Sequence, residues 1–148
     1  MSSERSDHPR LTTDRTHLGP ERPGLRLVRA HGGRAWVQLD VEPEGRPDAG
    51  ADAIIALGNA AALAAGASVL AAPGEPSARP LPRILELSVN LFRDGSRGRL
   101  TAEAELTYRG RTTLIVDVRV RDEHEKLVAA LVVTQLAPAG DVPARLAS

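Results

Sequence analysis

The sequence predicts a single α+β domain in which a curved antiparallel sheet wraps one long, alanine-rich helix. Three observations carry that expectation. The 21 residues from Asp52 to Ala72 are apolar around nearly the whole circumference of a helix, with one amide, Asn59, near the middle. On both sides of this stretch, apolar residues alternate with polar ones, the period of half-buried strands. The chain, at 148 residues, is long enough for one sizeable core.

The helix comes first because it constrains the rest. It would span roughly 31 Å, about the width of a small domain. Alanine loses almost no side-chain entropy in a helix and leaves a thin one that other backbone can approach closely. A helix apolar all round must be buried in protein or in a bilayer. The bilayer is disfavoured, because alanine and glycine carry little transfer energy and Pro73, Gly74 and Pro76 follow without a basic or aromatic anchor. A sheet that curls around the helix is the remaining way to bury it.

Taken in order, residues 25–30 form a short strand and His31-Gly32-Gly33 supplies turn chemistry. Arg34 to Val41 then alternates, with Ala35, Val37, Leu39 and Val41 on one face. Residues 42–50 hold two prolines and two glycines and read as a loop; residues 73–82 hold four prolines and read as a second connector. Ile84 to Phe92 places Leu85, Leu87, Val89 and Leu91 on one face. Leu100 to Tyr108 is expected to bury Leu100, Ala102, Ala104, Leu106 and Tyr108. Thr112 to Arg121 buries Leu114, Val116, Val118 and Val120, and Leu127 to Leu136 is apolar on both faces, as suits a central strand or a subunit contact. The domain is expected over 25–137, between tails at 1–24 and 138–148. The first 24 residues lack the apolar stretch of a secretory signal and are too acidic for a transit peptide, so a cytoplasmic location is expected.

Composition excludes several functions. The 19 basic and 19 acidic residues cancel, so no field favours nucleic acid. Of the bases 18 are arginine, scattered among acids, and Lys126 is the lone lysine. Without cysteine there is no disulfide, zinc–thiolate site, iron–sulfur ligation or thiol nucleophile. One Phe, one Trp and one Tyr leave an aliphatic core and no stacking platform for bases. His8, His17, His31 and His124 have no ligand spacing, and Ser68 and Ser88 have no histidine motif nearby. Neither a metal nor a cofactor is expected.

The order strand, strand, helix, then a run of strands resembles the hot-dog fold, and most closely its phenylacetate-pathway (PaaI-like) acyl-CoA thioesterases. The likeness runs from about Leu25 to Leu136. Its strongest pieces are Leu87-Ser88-Val89-Asn90-Leu91-Phe92-Arg93, Gly98-Arg99-Leu100-Thr101-Ala102-Glu103-Ala104, Arg109-Gly110-Arg111, and Val116 to Asp122 ahead of Leu127-Val128-Ala129. The resemblance implies a homodimer or dimer of dimers, with sheets joined edge to edge and an acyl-thioester site at the subunit boundary near the helix N-terminus. Such enzymes carry His-Gly-Gly before the helix and a catalytic Asp or Glu within it. His31-Gly32-Gly33 lies between two strands and reads as a turn. Aligned through Ala56-Leu57-Gly58-Asn59, the helix puts Asn59 on the carboxylate position and Gly50-Ala51-Asp52 on the His-Gly-Gly position.

The chemistry at these positions leaves alternatives open. Free N–H groups at a helix start can polarise a carbonyl, so Gly50 and Ala51 are candidate oxyanion and substrate-binding residues. An amide cannot act as general base, so Asn59 can hold a water or donate to a carbonyl; a buried structural amide is the alternative. Asp52 is the nearest carboxylate, either a displaced base or a helix cap. Arg93, Arg97 and Arg99, with Arg109 and Arg111 in the next turn, are candidate contacts for coenzyme A or a carrier protein, or solvated turn residues. The expected function is hydrolysis of acyl-CoA or acyl-carrier-protein thioesters, catalysed through Asn59 and Asp52. The competing expectation is a non-catalytic acyl-binding or assembly module, because Asn59 replaces the acid. Dehydration would want a His or carboxylate on the helix.

Overall fold

A computed structural model describes residues 24–41, 49–70, 81–93 and 98–138. The expected tails lie outside these residues except for Gly24 and Pro138, as do residues 42–48 and 71–80 of the two connectors and Arg97. The elements run β1 (Leu25–His31), β2 (Arg34–Val41), α1 (Ala49–Leu70), β3 (Arg83–Leu91), β4 (Gly98–Arg109), β5 (Thr113–Arg121) and β6 (Leu127–Leu136). All six strands form one antiparallel sheet in the order β1-β2-β4-β5-β6-β3. The helix packs on one face, chiefly over β2, β4 and β5, and β3 is carried to the far edge. This is the sheet-around-helix architecture read from the sequence.

The His31-Gly32-Gly33 turn reading holds. His31 pairs with Arg34 across Gly32 (φ 61°) and Gly33 (φ 89°), two successive positive φ angles that match a type I′ hairpin. The turn is then tied to the helix. Gly33 N–H donates to Ser68 Oγ at 2.8 Å, and that hydroxyl donates to the Ala65 carbonyl at 2.7 Å. Ser68 is therefore a structural link between hairpin and helix.

The core is aliphatic, as composition required. Ala35, Val37, Leu39, Leu100, Ala102, Ala104, Val116, Val118, Val120, Leu131 and Val133 face Ala53, Ile54, Leu57, Ala60, Ala61, Ala64 and Ala65 of the helix. The helix segment Gly50–Leu70 has the length and apolarity of a membrane span, but 67% of its most apolar window is buried within the domain.

Two strand readings are corrected, both by β-bulges. A bulge between Ile84 and Glu86 lets Ile84 take the inward place, so Leu85 is 57% exposed. Another between Leu106 and Tyr108 turns Tyr108 outward, 55% exposed. An inserted residue reverses the facing of everything beyond it and adds twist, which helps the sheet curl. The helix starts earlier than the expected Asp52, at Ala49, and Ala71 and Ala72 lie outside the described residues.

Helix and sheet approach most closely at two glycines. A Cβ on Gly58 would stand 2.5 Å from Leu131 Cδ2, and one on Gly66 would overlap Gln135 Oε1. Gln135 is fully buried, and its Nε2 donates to the Ala62 carbonyl at 2.8 Å. Gly66→Ala is expected to destabilise the native chain by about 1–3 kcal/mol through overpacking. In a Gln135→Ala background the same change should instead stabilise by roughly 0.5–1 kcal/mol, from helix propensity. Urea unfolding of the four proteins in the cycle measures both signs.

Candidate functional site

The candidate site residues lie on the first three turns of α1. Because the helix starts at Ala49, Gly50 and Ala51 fall among its first residues, whose N–H groups lack an intrahelical acceptor, and Asp52 follows them in the first turn. Asp52 is thus a first-turn carboxylate rather than a residue outside the helix, and the helix dipole favours it there. Gly50 is buried, Ala51 half-buried and Asp52 exposed.

Asn59 lies seven residues on, nearly in line with Asp52 and on the same side as Ile55 and Ala56. Its side chain is half-buried, and Oδ1 is enclosed without a hydrogen-bond partner among the described residues. An unsatisfied buried acceptor costs about 1–3 kcal/mol, so a donor from outside these residues has a ready place. The rise per residue puts Asn59 about 10 Å along the axis from Asp52 and about 12 Å from Ala51. A base must come within about 3 Å of the proton it takes. One chain therefore sets the helix-start N–H groups, the carboxylate and the amide along one helix, but not around one point.

Among the described residues, Gln135 is the only fully buried polar side chain. Its Oε1 also has no hydrogen-bond partner, but it lies against the Cα of Gly66, where it fills the space a side chain would take. Sequence reasoning did not single it out. Its signal is a lone amide in a strand aliphatic but for Thr134, which marks burial but not its partner.

The candidate arginines separate. Arg99 is on the sheet face away from the helix, where its Nε bonds Asp40 Oδ1 at 2.9 Å. That hydrogen bond holds the Asp40 carboxyl below the usual carboxylate range. Arg93 follows β3, its N–H donating to the Val128 carbonyl at 3.2 Å. Its charge adds to the backbone N–H groups of Lys126 and His124 that hold Asp122 low. A cleft of about 570 Å³ is lined by Gln38, Asp40, Arg99, Asp122, Glu123 and Glu125, among others. It is mainly acidic and on the outer face, the wrong sign for a phosphorylated ligand and the wrong side for Asn59. His124 sits in the β5–β6 turn and His31 in the first hairpin, so neither meets the helix start. No group of three potential metal ligands occurs among the described residues.

Comparison with known proteins bears on the fold and the family. The model of the thioesterase superfamily matches residues 53–129, more than half of the chain, from the first core residue of α1 through Asn59 into β6. A conserved protein from Pseudomonas aeruginosa is 27% identical, with a TM-score of 0.64 over 76% of this chain and 87% of that one. The phenylacetic acid degradation protein PaaI from Thermus thermophilus is 25% identical, with a TM-score of 0.61 over 78% and 94%. A Streptococcus mutans protein bound to acetyl CoA has the same fold at 20% identity, with a TM-score of 0.68 over 82% and 94%. A search of curated proteins gave no match. With six antiparallel strands wrapped around one helix and the family's match spanning that helix and the strands after it, the chain belongs to the thioesterase superfamily and has its hot-dog fold.

Proposed function

We propose that this chain hydrolyses acyl thioesters of coenzyme A or of an acyl-carrier protein. The observation that carries the reading is Asn59, an amide with an unpartnered Oδ1 on the central helix of a thioesterase-superfamily fold. The fold shared with a protein bound to acetyl CoA supports the choice of thioester. In this reading the N–H groups of Gly50 and Ala51 polarise the thioester carbonyl and Asn59 orients the attacking water. Water adds to the carbonyl carbon, the C–S bond breaks, and a carboxylic acid and a thiol leave. Arg93, just after β3, is the arginine this reading assigns to coenzyme A or a carrier, and Arg97 lies outside the described residues.

The same proposal includes a homodimer in the cytoplasm. Among the described residues β3 is an edge strand, and its Leu85 and Leu91 and the following Phe92 are 57%, 50% and 57% exposed. An unpaired strand edge with such residues is a template for a second strand. One observation favours a second reading, a non-catalytic acyl-binding module: an amide cannot take a proton from water.

Thiol release from a panel of acyl-CoAs separates the two. The hydrolase reading expects wild-type turnover and a loss of roughly 10- to 100-fold in Asn59→Ala, from misplacement of the water. Absence of wild-type turnover, with turnover appearing in Asn59→Asp, would establish the binding module instead. Stability should move the opposite way to activity. Asn59→Leu, which removes the unsatisfied oxygen at similar volume, is expected to raise the unfolding free energy by about 1–3 kcal/mol and abolish turnover.

A further inference from the structure

We infer that the acyl group taken by this site is a neutral, straight aliphatic chain, held beside Asn59 on the inner face of β3, and that aryl and carboxylated acyl groups are rejected. The inference deepens the hydrolase reading above and rests on it for the chemistry. It begins from a difference between two neighbouring strands. Leu87, Val89 and Leu91 of β3 pair with Val133, Leu131 and Ala129 of β6, so these side chains share the face of the sheet that carries α1. Those of β6 are at most 1% exposed, whereas Leu87 and Val89 are only half-buried and Leu91 is 50% exposed. The helix covers the sheet as far as β6 and stops short of β3.

The contacts with β6 fix which flank of α1 looks onto this gap. Gly58 lies against Leu131, and Ala62 and Gly66 lie against Gln135, so this line of the helix rests on β6. At about 100° per residue, Ile55 and Asn59 come next around the helix, on the side away from the core. Leu131 joins the two elements, touching Gly58 and pairing with Val89, so Asn59 stands level with Val89 across the gap. The result is a trench with Ile55 and Asn59 on one wall, the inward row of β3 on the other and Leu131 in the floor. At this level its polar group is the Asn59 amide, whose enclosed Oδ1 has no partner among the described residues.

The occupant follows from what these walls hold and lack. Glu86, Ser88 and Asn90 alternate to the other face of β3, so among the described residues the inward row carries no charge. A carboxylate on the acyl group would lose its water without gaining a cation. The walls carry no ring either: Trp36 and Tyr108 lie on the outer face, and Phe92, beyond the end of β3, is 57% exposed. An aryl group finds no stacking or edge contact there, and the β-branched Val89 narrows the trench opposite Asn59, where its ring would begin. Methylene groups meet only aliphatic carbon. Arg93, which the hydrolase reading assigns to coenzyme A, follows Leu91, so the chain runs the other way, past Leu87 to Ile84. Val89 to Ile84 spans about 16 Å of strand, the length of a chain of about ten to twelve carbons.

Acetyl-, butyryl-, hexanoyl- and octanoyl-CoA, beside phenylacetyl-CoA and succinyl-CoA, test this in one series. From butyryl to octanoyl, kcat/KM should rise about fourfold per methylene. Phenylacetyl-CoA should fall below octanoyl-CoA by about tenfold or more, and succinyl-CoA by about 100-fold or more. Leu87→Trp, which fills the trench, should lower the octanoyl-to-acetyl ratio of kcat/KM by about tenfold. Ser88→Trp, the same bulk on the opposite face, should leave that ratio as in wild type. A series flat in chain length, or phenylacetyl-CoA or succinyl-CoA as the best substrate, would overturn the inference and leave the hydrolase reading standing. So would a Leu87→Trp chain that changes its mass in solution but not the ratio, because a second copy then covers the row. Without turnover on any ester the hydrolase reading falls, and thermal stabilisation by the same esters decides the inference: a rise with chain length upholds it, and a flat response overturns it. Should Leu87→Trp not fold, judged by circular dichroism, Leu91→Trp replaces it.

Discussion

The closeness of one helix to its sheet governs this structure. Gly58 sits against Leu131 and Gly66 against Gln135, and neither position has room for a methyl group without movement. The helix is thin enough for a six-stranded sheet to curl over it, and alanine fills what the glycines leave open. That economy of volume has a cost in coverage. The helix lies chiefly over β2, β4 and β5, so β3 at the margin keeps an open edge and the stripe from Asp52 to Asn59 stays clear of the core. The same constraint that makes a compact core therefore leaves one flank unfinished.

Most of the fold was legible because two periodicities were clean. The alternation in Arg34–Val41 and Thr113–Arg121 matches the burial residue for residue, and the alanine run could only be a buried helix. Bulges defeated the alternation elsewhere. Leu85 and Tyr108 are apolar residues in apolar strands, and nothing local announces that an inserted neighbour will turn them outward. The strand order was equally silent: β2 pairs with β4, past a helix and a strand, because the core is shared and not because the segments are adjacent.

The site was legible in part. Gly50, Ala51, Asp52 and Asn59 were readable as candidates, and the structure places the first three in the first turn of α1 and Asn59 two turns further on. The two-turn spacing of Asp52 and Asn59 was readable once the stretch was read as a helix, but sequence alone could not say which of these residues would be covered by the sheet. Nor could it separate Arg99 from the helix. Facing depends on register, and the register pairs Arg99 with Asp40 on the outer surface.

The outer face holds one more consequence. Trp36, the chain's only tryptophan, lies there between Arg29 and Arg34, whose guanidinium carbons are 5.3 and 5.5 Å from its ring centre. Those contacts report on the β1–β2 surface, while the core beneath contains no indole. Intrinsic fluorescence will thus follow the local order of a hairpin and its charge environment. Loss of the helix from its sheath is a separate event, visible in the amide bands of a protein that is otherwise nearly dark in the near ultraviolet.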